Sequence, residues 1–351
     1  MTTIGLWMGW SMAAVAVAAV LTRGLIAWTT ARGVVDTPNA RSSHTQITPR
    51  GGGLAIIAVV VVVAIVVVAL QPQELPRIAG AVLPALAIAA VSWLDDVSSL
   101  RNRTRFAVHL AAAVAATAVL GPVMRVDLGS FGMLRFGPLA WPLTVLWIVG
   151  LTNAFNFMDG SDGIAGITAA AVAAGIAAAS AACGVGSVAV IAAAFAGASL
   201  GFLSCNWQPA RIFMGDVGSA FCGFLLAVLP LAVRADAVPE VLPVAVLALW
   251  PFIFDTVFTL LRRLQAGENI FQAHRSHLYQ RLVISGWSHR AVAGLYGGLA
   301  AFGATVAVAA LLDPAMRRAA DQVAAASLLV GAALLVALVT VAERRRSQVA
   351  A

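Results

Sequence analysis

No lysine occurs in this chain; all 22 of its basic residues are arginine. That absence is compositional and assigns no function. Other shortages exclude more. Only 11% of the residues are charged, against about a quarter in soluble domains, while 61% are hydrophobic and the mean hydropathy is +0.93. A soluble globular domain is thereby excluded. The three cysteines, Cys183, Cys205 and Cys222, lie in apolar segments without CxxC spacing, so neither a disulfide framework nor a zinc site is expected. The alternation of an outer-membrane barrel is also missing. Runs such as 55–70 are continuously apolar, and in lipid such a run must satisfy its own backbone hydrogen bonds as a helix. A net charge of +7 does not indicate nucleic acid, because the arginines are scattered through short loops.

What is present is a series of spans. About 20 apolar residues cross the hydrocarbon core, and eleven stretches qualify: 4–29, 52–70, 76–94, 106–121, 139–157, 164–182, 185–204, 217–233, 239–261, 291–312 and 322–341. The expected fold is an all-α integral membrane protein of about eleven transmembrane helices, one polytopic domain over 1–351. The first stretch has no basic leader and no clear cleavage site, so it reads as a retained helix. Between 126 and 136, Gly129, Gly132 and an apolar/polar alternation predict a small hairpin. Fifteen arginines fall in loops of one face and six in loops of the other, with Arg23 inside the first helix. The richer face is expected to be cytoplasmic. The N-terminus is then outside and the C-terminus inside.

The polar clusters all fall on that richer face, in loops 32–53, 95–105, 153–163, 205–218 and 262–290. Asp95-Asp96 ends the third helix, and adjacent carboxylates at a membrane edge want a cation, a basic partner or a shared proton. A solvated helix end neutralised by Arg101, Arg103 and Arg105 is the plainer alternative. Asn153, Asn156, Asp159 and Asp162 recur every third residue. At about 100° per residue they spiral around half a helix, so they share a ligand only if the helix breaks, and Gly160 and Gly163 mark the place. Their oxygen donors suit Mg²⁺ and not zinc. Asp216, in Gly215-Asp216-Val217-Gly218-Ser219, is placed like a helix cap. His274, His277 and Arg281 are expected along one side of a short helix, as donors to a diphosphate or as an interfacial segment. Asp36, Asn39, Arg41 and His44 precede Gly51-Gly52-Gly53, where backbone N–H groups before a helix suit an anion; no P-loop lysine follows. His109 and His289 are assigned to structure or to the membrane interface.

As an ordered set, over roughly 36–290, these motifs resemble the polyprenyl-phosphate N-acetylhexosamine-1-phosphate transferase family. Residues 36–53 and 274–281 look most like its O-antigen initiating branch. The resemblance implies a bacterial inner-membrane enzyme with a cytoplasmic-face site. Asp95 and Asp96 match carboxylates assigned to the lipid-phosphate nucleophile. Asn156 and Asp216 match magnesium ligands, with Mn²⁺ as a substitute. Asn153, Asp159 and Asp162 match residues around nucleotide and metal, and His274, Arg275 and His277 match the diphosphate and sugar loop. Two departures stand out. The carboxylates lack the additional Asp of the longer DDxxD form, and HRSH replaces the consecutive histidines of the muramyl-pentapeptide branch.

The implied partners are a UDP-N-acetylhexosamine, undecaprenyl phosphate and the bilayer, without nucleic acid; a homodimer stays open. Two anionic substrates among several carboxylates need positive charge, and Arg50, Arg211, Arg275 and Arg281 are the available side chains. A transporter or flippase for an anionic lipid or solute is the competing class. Its intramembrane carboxylates would sit near the midplane within internal repeats, and no convincing repeat is found.

Overall fold

The computed structural model describes residues 3–38, 46–98, 100–269, 272, 274–313 and 315–350. Twelve helices dominate: α1 (Thr3–Ala31), α2 (Gly53–Leu70), α3 (Leu75–Ser98), α4 (Asn102–Leu120), α5 (Ala140–Met158), α6 (Ile164–Ala182), α7 (Gly186–Asn206), α8 (Asp216–Val228), α9 (Val238–Gln265), α10 (Leu278–Ile284), α11 (His289–Leu312) and α12 (Arg317–Ala350). Two antiparallel strand pairs complete the chain, β1 (Val35–Asp36) with β2 (Thr48–Pro49) and β3 (Arg125–Asp127) with β4 (Met133–Arg135). The second pair is the expected hairpin.

All eleven expected helices are present, and most run past their apolar stretches. A helix ending inside lipid would strand unpaired carbonyls, so the ends move out to polar residues. Thus α3 carries Asp95 and Asp96 in its last turns, and α12 spans 317–350 rather than 322–341. Among the described residues ten helices are long and apolar enough to cross a membrane. The remaining apolar one, Asp216–Leu231, is shorter. The additional helix, α10, is short and amphipathic.

Helix α7 is the axis of the bundle and packs against α1, α2 and α6. Small residues make this possible, because lipid-embedded helices associate through close backbone packing. A Cβ on Gly197 would stand 2.2 Å from the carbonyl oxygen of Ser11, and one on Gly201 would stand 2.4 Å from that of Val15. In contrast α1, α4 and α12 lie at the rim and keep most of their apolar surface outward.

The loops at one end of the bundle are stitched together. Phe213 N–H donates to the Pro49 carbonyl at 2.8 Å, and the N–H groups of Gly52 and Gly53 donate to the carbonyls of Phe213 (2.9 Å) and Met214 (3.0 Å). A Cβ on Gly53 would lie 2.2 Å from Gly218 Cα. The glycine triplet expected to admit an anion admits another stretch of backbone instead, and two of its three N–H groups are taken. Asn39, Arg41 and His44 lie outside the described residues. At the opposite end the β3–β4 hairpin docks on α12: Arg317 pairs with Asp127, and Ser130 N–H donates to Asp321 Oδ2 at 2.6 Å.

Candidate active site

The site begins with the two carboxylates that end α3. Adjacent positions on a helix point about 100° apart, and here they part company. Asp96 turns inward, 4% exposed, and accepts the N–H groups of Asp216 (3.2 Å) and Val217 (3.0 Å). It therefore caps α8 from another helix, satisfying donors that the helix start leaves open. The residue in the cap position is Gly215, at φ +76°, and a Cβ there would stand 2.9 Å from Asp96 Oδ2. Glycine relieves both the left-handed strain and the clash. Arg50 backs this carboxylate, with Nη1 3.7 Å from Asp96 Oδ1 and Nη2 donating to the Asp96 carbonyl. Asp216 is consequently not the cap that its position suggested, and its own carboxylate is free to face outward.

Asp95 turns the other way. It accepts Leu100 N–H at 2.5 Å and Arg105 Nη1 at 2.6 Å. The second nitrogen of that guanidinium lies 2.7 Å from Asp216 Oδ2 and 3.4 Å from Asn156 Oδ1. The Asn156 amide donates to Asp216 Oδ1 (3.1 Å) and to Ser219 Oγ (2.8 Å). One arginine thus joins residues from α3, α5 and α8.

The three-residue repeat does break where its glycines indicated. Helix α5 ends at Met158 and α6 starts at Ile164, with Gly163 at φ +79°. The four polar residues then separate. Asn153 donates to the Val149 carbonyl at 2.7 Å. Asn156 joins the cluster. Asp159 is half-buried, and among the described residues no hydrogen bond or ion pair reaches its carboxyl group. Its pKa is raised well above the usual carboxylate range, first by desolvation and then by Asp216, Asp96 and Asp162. Asp162 accepts Ala210 N–H at 3.0 Å, while its own N–H donates to His289 Nδ1 at 3.1 Å. Asp162 and His289 hold the loop, as does buried Asn206, which accepts Gly163 N–H and donates to the Ile212 carbonyl, both at 2.9 Å.

The histidine loop rests on a fully buried carboxylate inside α9. Asp255 accepts the N–H groups of Leu278 (2.8 Å) and Tyr279 (3.0 Å) and the Tyr296 hydroxyl (2.7 Å), and His277 Nδ1 lies 3.2 Å from the same carboxyl group. His274 stacks on His277 with centroids 5.0 Å apart, and its Nδ1 faces Ser276 N–H at 3.3 Å. Burial and then the neighbouring His277 push the His274 pKa down to about 4. At neutral pH it is an uncharged Nε2–H donor. Both histidines precede α10 and do not lie along it, contrary to the expected one-sided helix. The loop is tied to the end of α5 by Tyr279, whose hydroxyl donates to the Phe157 carbonyl at 3.0 Å.

Residues 78–234 match the profile described as Glycosyl transferase family 4. A probable undecaprenyl-phosphate N-acetylglucosaminyl 1-phosphate transferase of Bacillus subtilis is 36% identical over 272 residues, covering 74% of this chain and 72% of that protein. The chain belongs to the polyprenyl-phosphate N-acetylhexosamine-1-phosphate transferase family. A decaprenyl-phosphate N-acetylglucosaminephosphotransferase of Mycolicibacterium smegmatis is 32% identical, covering 88% of this chain and 80% of its own. A phospho-N-acetylmuramoyl-pentapeptide-transferase of a Synechococcus is 30% identical, covering 76% and 81%.

Within this transferase family member, the cluster fits a hard divalent cation in donor type. Among the described residues Asp95 and Asp216 pair with Arg105 and Asp96 pairs with Arg50, and Asn156 adds a neutral oxygen. Among the described residues no three His, Cys, Asp or Glu side chains form a ready-made metal cage. The arginines expected to serve the diphosphate divide. Arg50 reaches the cluster, and Arg275 is exposed, without a side-chain bond among the described residues. Arg211 folds back onto the Ser204 carbonyl at 3.1 Å. Arg281 is held by both oxygens of Glu343 on α12, each at 2.7 Å. These last two are not brought to the carboxylates. Arg105 and Asp255 are the residues that the sequence reading left out of the site.

Proposed function

We propose that this protein transfers an N-acetylhexosamine 1-phosphate from a UDP-sugar to undecaprenyl phosphate. An oxygen of the lipid phosphate attacks the β-phosphorus, the bond from that phosphorus to the oxygen bridging to the α-phosphate breaks, and UMP leaves. The lipid diphosphate sugar that remains is the starting unit of a surface polysaccharide of the O-antigen kind. N-acetylglucosamine is the first candidate sugar, because the Bacillus and Mycolicibacterium relatives are named for it. The observation that carries the reading is the convergence of Asp95, Asp96, Asn156 and Asp216 at one end of a membrane bundle.

A phosphate monoester has its second pKa near 6, so the nucleophile is already mostly ionised at neutral pH and needs little from a base. The protein's task is positioning and charge neutralisation. Asn156 and Asp216 would hold Mg²⁺, which when bound withdraws charge from the diphosphate oxygens. Asp95 faces the reacting region from α3, Asp96 fixes the α8 terminus that carries Asp216, and Asp159 supplies a further carboxylate. His274 and Arg275 lie at the loop that meets the sugar and diphosphate. The arginine bias supports a cytoplasmic site in the bacterial inner membrane, with a periplasmic N-terminus and a cytoplasmic C-terminus if α8 counts as a crossing.

The deciding experiment incubates the purified full-length protein with undecaprenyl phosphate, Mg²⁺ and a panel of UDP-sugars. UMP and a mass-identified lipid diphosphate sugar are expected, abolished by EDTA. A carrier that moves lipid or solute yields neither product.

A further inference from the structure

Arg105 occupies the same oxygens that the proposed cation needs. Its guanidinium lies 2.6 Å from Asp95 Oδ2, 2.7 Å from Asp216 Oδ2 and 3.4 Å from Asn156 Oδ1. Arg101 and Arg103, on the same turn, point to solvent. We infer that Arg105 is a built-in competitor of the divalent cation: it holds the carboxylates together without metal and yields Asp216 and Asn156 when the diphosphate arrives. The inference rests on the reading that these two residues bind the metal.

Three features support the exchange. Mg²⁺ bonds at about 2.0–2.1 Å with near-octahedral demands, and a guanidinium on the same oxygen adds like-charge repulsion. Arg105 also stands in the first turn of α4, which has no acidic residue there. The positive end of the helix dipole disfavours a cation at that place, so the carboxylates, not the helix, hold it. Finally, a planar guanidinium matches diphosphate oxygens as well as carboxylates, so a substrate gives the displaced side chain a new partner. Metal and nucleotide sugar then bind cooperatively, with little metal held beforehand.

The test measures Mn²⁺ binding to full-length protein in detergent by the loss of the free-ion electron paramagnetic resonance signal. Removing a charge beside a carboxylate is worth about one to three powers of ten in cation affinity, so R105Q is expected to bind Mn²⁺ at least about tenfold more tightly than wild type. R105K keeps the charge, but a single ammonium spans the two carboxylates less well, so its affinity falls between them. The melting temperature of R105Q without metal falls and recovers with Mn²⁺. UDP-N-acetylglucosamine tightens Mn²⁺ binding more in wild type than in either variant. If R105Q does not fold, R105K alone carries the comparison. Variants no tighter than wild type, beside a weakened D216N, overturn the role of Arg105 alone. Undiminished binding by D216N removes the metal from Asp216, and this inference with it.

Discussion

At the start of α8 the cap comes from α3, and the aspartate of α8 itself faces the site. The two carboxylates therefore differ in what their loss does. Asp96→Asn keeps an acceptor for only part of the cap and gives up the Arg50 pairing; it is expected to destabilise by about 1–3 kcal/mol, seen as a lower melting temperature. Asp216→Asn keeps the cap and should melt closer to wild type than Asp96→Asn, yet lose Mg²⁺-dependent UMP release. Equal damage to stability from both would place Asp216 in the cap after all. Asp159 allows a pH argument. Its folded pKa is raised, so protonation stabilises the metal-free fold at low pH, and that contribution is lost as pH rises through the raised value. A bound cation needs the ionised form, so metal affinity should climb with pH over the same window. Calorimetry in buffers of different ionisation enthalpy would register the proton released; affinity independent of pH would detach Asp159 from the metal. The carboxylates themselves were legible in the sequence as polar residues at helix ends. Arg105 was legible only as one of three neutralising neighbours, since three arginines in five residues look alike until the helix exposes two of them and turns the third inward.

The elements around the histidine loop owe their arrangement to Asp255, which sits 22 residues before His277 in the middle of an apolar run. A lone carboxylate in a membrane span carries a functional expectation by default, and that signal was present in Phe252-Ile253-Phe254-Asp255. What sequence could not supply was its partners, which come from α10 and α11. Replacing Asp255 by Ala leaves two buried N–H groups and a tyrosine hydroxyl unpaired, at about 1–3 kcal/mol each. Faster hydrogen exchange confined to 274–296 is the expected mark. The His274 shift has its own sign. With a folded pKa of about 4 against an ordinary 6.5, the unfolded loop takes up a proton first. The loop's stability, complete above pH 6.5, should fall as pH drops toward 4, and His274→Asn should flatten that dependence in exchange measurements.

For the molecule as a whole, helix positions were readable because apolar length is dictated by the bilayer. The crossing number was less so, because α8 is apolar enough to look like a span and too short to match the others. A tag inserted between Gly184 and Gly186 is expected to be labelled only from outside the cell; labelling from the cytoplasm would invert the proposed orientation.

The helix that carries Asp216 has one more property. From Val217 to Leu231 every residue is buried against protein, so acyl chains press on α1, α4 and α12 and never on the strut beneath the reacting carboxylate. Thickness mismatch costs fractions of a kcal/mol per Å at lipid-facing helices, and here it is absorbed at the perimeter. Turnover in vesicles should therefore stay nearly constant as the host lipid is lengthened or shortened by a few carbons, while the melting temperature moves. The chemistry rides on a mast stepped through the deck, shielded from the swell around the hull.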